Sequence, residues 1–197
     1  MNALFDVTGM SMETERLLLR PFAEYDLNDL YDYASAPGVG ETAGWLPHES
    51  IETSRDVLQS YLDKKDTFAV WHKADCRVIG SVRLHDSWTS RNDKYKHLKA
   101  KEIGCVIAKN YWGRGLATEA VNAVIAYGFS AFGLEAFGIA HIAGNSPSRR
   151  IAEKCGFTYV ETGEYFSAQL QKKFDDIRYI LLRDIESAGD MPREALT

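Results

Sequence analysis

No run of eighteen apolar residues occurs anywhere in this sequence, so nothing in it reads as a membrane-spanning helix. The opening MNALFDVTGMSMETERLLLR carries an early acidic residue and lacks the apolar stretch of a signal peptide. Cysteine is scarce: three residues, at 76, 105 and 155, show no CxxC spacing and no His/Cys cluster. That excludes a disulfide framework and a structural zinc, and points to reduced thiols in a cytoplasm. Five prolines make no proline-rich linker, and neither low-complexity tracts nor solenoid-period repeats are present. Basic charge is also in the minority, with 23 Lys and Arg against 28 Asp and Glu, and it is scattered. A chain without a basic stripe is not built to track a phosphate backbone, so nucleic acid is excluded as the primary partner. The net charge of −5 suits an amine or a basic peptide better.

What remains is the make-up of one globular domain: 197 residues, 45% hydrophobic and 26% charged. Residues 15–20 (ERLLLR) read as a strand closed by Pro21. Asp26 is expected to cap a helix with Leu27, Leu30, Tyr31 and Ala34 at helical spacing, and Ser50 a second one that ends before Asp66. Between them, APGVGETAGWLPHES is loop. Residues 67–72 and 77–85 make a hairpin, and 86–99 a polar excursion. Residues 102–108 (EIGCVIA) form the best buried strand, followed by a helix from Leu116 to about Phe132 that Gly133 stops. Residues 135–143 give another strand. Ser146 and Pro147 open a helix that Gly156 closes, and 157–166 and 177–183 complete the sheet. This order is a mixed α/β domain and not an alternating doubly wound one.

The stretch YWGRGLATEA, residues 111–120, places two glycines around an arginine at the threshold of a helix. A helix N-terminus presents unpaired N–H groups and a partial positive charge, and a turn without side chains lets an oxyanion reach them. Gly113 and Gly115 clear that approach, Arg114 adds charge, and Ala117 keeps the first turn slim. A plain strand-to-helix turn needing positive φ would also use glycine, but two around an arginine favour an anion site. No GK followed by Ser or Thr marks a nucleotide phosphate loop, and the position in mid-chain does not fit a dinucleotide fingerprint.

WGRGLATEA after EIGCVIAKNY resembles the acetyl-CoA pyrophosphate loop of the GNAT superfamily of N-acetyltransferases, whose usual pattern is Q/R-x-x-G-x-G/A. Trp112 stands where Gln or Arg is commonest, as in the branch of the ribosomal-protein N-alanine acetyltransferases. NSPSRRIAEKCGF, from Asn145 to Phe157, resembles that branch's N-x-x-S-x-x-V-x-E-K-x-G-F helix, and TERLLLRPF and GWLPHES are similar to the same branch. The resemblance runs from Thr14 to about Arg183. It implies an N-acetyltransferase domain over 14–184, between an N-terminal extension (1–13) and a C-terminal tail (185–197). The implied fold has a central, mostly antiparallel sheet splayed between two parallel strands, with helices on both faces.

The resemblance also implies the site. Acetyl-CoA, the co-substrate, would enter between strands 102–108 and 135–143, its pantetheine arm along Cys105, Val106 and Ile107. Trp112, Gly113, Arg114, Gly115, Leu116, Ala117 and Thr118 would hold the pyrophosphate, and Asn145 would bond near the pantetheine. A neutral amine then attacks the thioester and a thiolate leaves, which calls for a base and a proton donor. Glu102 is one candidate base, with burial raising its pKa, unless it is a strand-end charge facing solvent. His141, in an apolar strand beside the cleft, is the other, unless it is a satisfied core residue; Glu161 and Glu164 stand behind them. A backbone N–H of strand 102–108 could serve the oxyanion. The Tyr common as proton donor in the superfamily is replaced by Ala152, which leaves Ser148. Trp45 and His48 would border the acceptor or anchor their loop to the core. Glu119 reads as an acid complementing the helix dipole, and Cys105 as a small buried residue and not a nucleophile. The expected partners are acetyl-CoA and an amine, either a protein N-terminus or a small molecule such as an antibiotic or polyamine. No metal, membrane or nucleic acid is expected, and a homodimer is left open. The reading of another class is a non-catalytic acyl-CoA-binding module.

Overall fold

The computed structural model describes residues 5–184; the expected C-terminal tail lies outside the described residues. In chain order the elements are β1 (Met12–Glu13), β2 (Leu17–Pro21), α1 (Leu27–Ala34), α2 (Ile51–Lys64), β3 (Thr67–His72), β4 (Arg77–His85), β5 (Ala100–Ile107), α3 (Leu116–Ala131), β6 (Ala136–Ile142), α4 (Ser146–Lys154), β7 (Thr158–Ser167) and β8 (Lys172–Leu182). The strands form one sheet in the order β1-β2-β3-β4-β5-β6-β8-β7. Every neighbouring pair is antiparallel except β5 and β6. Val7 and Met12, ahead of the expected domain start, are buried in the main core.

One face of the sheet is covered by α3 and α4. Leu116, Ala120, Val121, Val124 and Ile125 recur at helical spacing on α3 and pack with Ile103, Phe137, Ile139 and Tyr179 of the sheet and Ala152 of α4. Gly128 lets α3 lie close, because a Cβ there would stand 2.3 Å from the Phe137 ring. The opposite face carries α1 and α2, whose Leu30 and Leu58 pack on Ala69 and Val78. Beside them, a 3-10 turn at Trp88–Arg91 buries Trp88 with Tyr95, Ala100, Ala136 and Ile180. The segment expected to be a polar excursion therefore has an apolar anchor of its own.

Three local expectations are corrected. Asp26 does not cap α1: its carboxylate accepts two bonds of 2.7 Å from the Arg20 guanidinium and one from the Ala23 N–H, and the residue is buried. Both oxygens of this buried acid are engaged by the half-buried Arg20 and a turn amide, and neither accepts from the helix end. Ser146 is not the cap of α4 either. Asn145 is, accepting the Ser148 N–H at 3.1 Å, while Ser146 and Pro147 occupy the first turn. The last two strands are longer than their apolar patterns suggest, because β7 and β8 pair as a hairpin across polar residues out to Ser167 and Lys172. Ser50 caps α2 as expected, accepting the Thr53 N–H at 3.3 Å.

The feature that positions a site is the way β5 and β6 part. They pair only at Ala100 with Ala136, Lys101 with Phe137, and Glu102 with Gly138. Beyond that point β4 holds β5 as far as Ile107, while β8 holds β6 as far as Ile142. Each strand follows its outer neighbour, and a cleft opens between them. Gly138 stands at its apex because a Cβ there would lie 2.7 Å from Ser87 Oγ and 3.0 Å from Trp88 Nε1.

Candidate active site

The β5 edge beyond Glu102 has amides and carbonyls in mid-sheet with no strand on that side. Such groups demand partners, and an extended ligand bearing its own amides is the natural one. Glu102 sits at the apex of the cleft. It is inside a strand and largely buried, so it is not a strand-end charge facing solvent. Its Oε2 accepts the Trp88 N–H at 3.0 Å, and burial raises its pKa above the ordinary carboxylate value. The charge of His85, the Trp88 amide and Arg178 work against that rise, and Asp176 works with it. His85 pairs with Glu102 across β4 and β5 and lies over Gly104, whose missing Cβ would be 3.7 Å from Nε2.

Further along the same face, Arg178 donates to Asp176 and to Glu161, each at 3.0 Å, and Asn92 donates to Glu161 at 3.0 Å. Gly163 makes room for that guanidinium, since a Cβ would stand 2.2 Å from its central carbon. The Gly44 loop closes the other side of this face: a Cβ on Gly44 would be 3.3 Å from Ile142, and the Gly44 carbonyl accepts from Ser167 Oγ at 2.6 Å. Trp45 packs with the α1–α2 cluster, its ring 5.4 Å from that of His48. His48 Nδ1 lies 2.7 Å from Ser54 Oγ, its N–H donates to Ala34, and burial lowers its pKa. Both side chains anchor the loop that borders the site.

Side chains alternate along a strand, so His141 lies on the opposite face from Gly138 and hence from Glu102. It is buried, with Nδ1 3.0 Å from the Ile142 carbonyl and Nε2 3.4 Å from the Tyr179 hydroxyl, and its ring stacks on Tyr179. Those contacts are the ones a satisfied core histidine makes. Cys105 faces the same α3–α4 side, and burial pushes its thiol up to about 12, with Cys155 nearby adding to the rise. A thiol so hard to ionise is no nucleophile. Val106 faces the other side, against the α1–α2 cluster. The Ile107 carbonyl accepts from Trp112 Nε1 at 2.6 Å, so the indole closes the end of β5.

Gly113 and Gly115 both have positive φ, at 76° and 78°, and Gly115 is the N-cap of α3. No side chain caps this helix. Its first internal bond runs from Glu119 N–H to the Gly115 carbonyl, which leaves the amides of Leu116, Ala117 and Thr118 ahead of it. A Cβ on Gly113 would meet nothing within 4 Å, so the approach is open. The Leu116 side chain is buried and holds the helix to the core, and Arg114 lies over the Tyr111 ring. Asn145 is shared: besides capping α4 it donates from Nδ2 to the Thr42 carbonyl at 2.8 Å. Ser148 is half-buried on α4, which packs on the face opposite Glu102.

The sequence reading missed Arg16, His85, Asp176 and Arg178. Nothing local singles them out: each matters through a partner on another strand or helix. Among the described residues, no group of three His, Cys, Asp or Glu side chains gathers as metal ligands would, and no helix is long and apolar enough to cross a membrane.

The strand pair that parts at Glu102 and the glycine turn into an uncapped helix give this face of the protein a cleft with an end suited to an anion. The sequence pattern of the acetyltransferase (GNAT) domain matches residues 16–158, and the chain belongs to that family. It is 30% identical over 151 residues to the uncharacterized N-acetyltransferase YoaA of Bacillus subtilis, covering 74% of this chain and 81% of that protein. In fold it is similar to the ribosomal-protein-S5-alanine acetyltransferase of Vibrio fischeri (TM-score 0.68, 20% identity, 89% of this chain and 98% of that one). It is likewise similar to the spermidine N-acetyltransferase of Vibrio cholerae in complex with CoA and spermine (TM-score 0.68, 19% identity, 86% and 96%).

Proposed function

We propose that this acetyltransferase moves the acetyl group of acetyl-CoA directly onto the α-amine of a protein N-terminus, with Glu102 as the base. The observation that carries the reading is the placement of a buried carboxylate of raised pKa at the last β5–β6 pair, where the cleft begins. The open β5 edge and the uncapped α3 N-terminus fit the two ends of the donor: amides of an extended arm along Cys105, Val106 and Ile107, and a diphosphate at residues 112–118. When bound, acetyl-CoA supplies the activated acyl thioester. Glu102 draws the cationic amine to the apex and takes one proton; the neutral nitrogen bonds to the acyl carbon as the C–S bond breaks, and its second proton ends on the departing thiolate. An amide of β5 receives the charge developing on the carbonyl oxygen, and the Ser148 hydroxyl, on the helix of the other face, donates to the departing sulfur.

The protein N-terminus is favoured by the GWLPHES loop, similar to that of ribosomal-protein N-alanine acetyltransferases, which borders Glu102's face through Gly44 and Ile142. A polyamine acceptor is the second reading. It draws on Asp176 and Glu161, two carboxylates that share Arg178 on the face of Glu102. A thiol-release assay with acetyl-CoA tests both against peptides beginning with Ala or Ser and against spermidine. Turnover of the peptides at the higher kcat/KM is expected; preference for spermidine would transfer the assignment. Thiol release with neither, over a wider amine panel, would overturn transfer to an amine.

A further inference from the structure

We infer that Arg16, from the segment between β1 and β2, is a positioning residue of the diphosphate turn, and that its pairing with Glu119 is what makes the α3 N-terminus fit to take an anion. The inference rests on the acetyl-CoA reading above and adds to it a residue from a distant part of the chain.

The first turn of α3 contains a conflict. Its open amides suit a diphosphate, yet the same turn carries Glu119, whose carboxylate would repel one. The structure resolves this by turning the carboxylate away and covering it. Glu119 Oε1 accepts from Thr14 Oγ1 at 2.6 Å and from the Arg16 N–H at 3.0 Å. Its Oε2 accepts from Arg16 Nε at 2.7 Å and lies 2.5 Å from Nη2. Although burial opposes it, these bonds lower the Glu119 pKa, so the acid stays ionised as the guanidinium's partner. Glu119 stands in the first turn of α3 as expected, and it also clamps the helix to the β1–β2 segment.

The clamp also aims the guanidinium at the glycine turn. Arg16 Nη1 donates to the Arg114 carbonyl at 2.9 Å, across 98 residues of sequence, and Nη2 lies 3.7 Å from where a Gly115 Cβ would be. The Arg114 carbonyl and the Gly115 N–H belong to one planar peptide and point in opposite directions. Holding the carbonyl therefore fixes where that amide points, in a turn whose two glycines would otherwise be free to rotate. The Glu119 side chain is 17% exposed and that of Arg16 41%, so the negative end is withdrawn while the positive end stays within reach of a ligand.

The test compares Arg16→Gln, Glu119→Gln and the double variant, in the full chain, by calorimetric titration with CoA. Steady-state kinetics use acetyl-CoA and S-acetylpantetheine, which lacks the diphosphate. Arg16→Gln is expected to weaken CoA by about tenfold, since it removes a charge-assisted donor and uncovers Glu119. Glu119→Gln should cost less, and the double variant should bind CoA better than Arg16→Gln alone. KM for acetyl-CoA should rise with kcat held, and KM for S-acetylpantetheine should not follow it. Unchanged CoA affinity in Arg16→Gln would overturn the proposal. So would a double variant no better than Arg16→Gln, or equal losses with both donors, the mark of a merely structural clamp. If Arg16→Gln does not fold, Arg16→Lys keeps the charge but not the two-sided grip, and intermediate CoA affinity is expected of it; wild-type affinity would overturn the positioning role. Wild-type protein that binds no CoA would instead remove the acetyl-CoA reading, and this inference with it.

Discussion

Replacing Glu102 with Gln separates catalysis from stability, and the structure fixes the sign of both effects. The amide keeps the shape of the acid, and its carbonyl can still accept the Trp88 N–H that Oε2 now holds at 3.0 Å. What it cannot do is take a proton. Loss of a positioned base costs about 10²- to 10⁴-fold in rate, or roughly 3–5 kcal/mol of barrier. In the wild type, the rate should fall on acidification along a limb displaced above the ordinary carboxylate range, because burial raises this group's pKa. In the variant that limb should be gone. Stability moves the other way. A carboxylate whose pKa is higher folded than unfolded contributes stability that is fully present below its unfolded value of 4.5 and is lost as pH rises through the folded value. At neutral pH the ionised Glu102 is therefore a cost, and Gln should relieve it. A gain on the order of 1 kcal/mol would raise the Tm of a domain this size by about 2–4 °C. The gain should shrink as the pH approaches 4.5, the unfolded value. The assay is a pH–rate profile of thiol release beside thermal melts at matched pH. A variant that keeps the acidic limb refutes Glu102 as base. If His141→Gln then removes the limb, the base is His141, despite its place on the other face.

The other perturbations are simpler to read. Gly115→Val should abolish measurable CoA binding in calorimetry and also lower the melting temperature, since φ of 78° strains a β-branched residue by roughly 1–2 kcal/mol; Gly113→Ala, with open space around it, should perturb binding with less clash. Ser148→Ala should lower kcat about ten- to a hundredfold, the worth of one hydrogen bond to a developing charge, while calorimetric CoA affinity holds. His48, neutral and bonded to Ser54 in the fold, has a pKa lowered by burial, so its contribution is present above 6.5 and lost as pH falls through the folded value. His48→Asn should therefore flatten the acid side of the Tm-versus-pH curve; an unchanged acid slope would show that another group governs it.

The sequence by itself determined what depends on neighbours along the chain. The glycine turn was legible because two residues with positive φ and an uncapped helix end are local demands, met by glycine at 113 and 115. The hairpin 67–85, the Ser50 cap and the apolar stripe of α3 were legible for the same reason, as was the candidacy of Glu102. Tertiary structure decided whatever depends on which strands meet. Glu102 could be a solvent-facing charge or an apex acid until β5 was seen to leave β6 at Gly138. His141 could have joined it, but strand alternation and register set the two on opposite faces, the histidine against Tyr179. Asn145, expected beside the donor, caps α4 and joins it to the loop at Thr42, a contact 103 residues away in sequence. Arg16 carried no local sign at all. Its role beside Gly115 exists only because β1 and β2 fold back onto α3, and a contact spanning 98 residues leaves no periodicity in the sequence to be read.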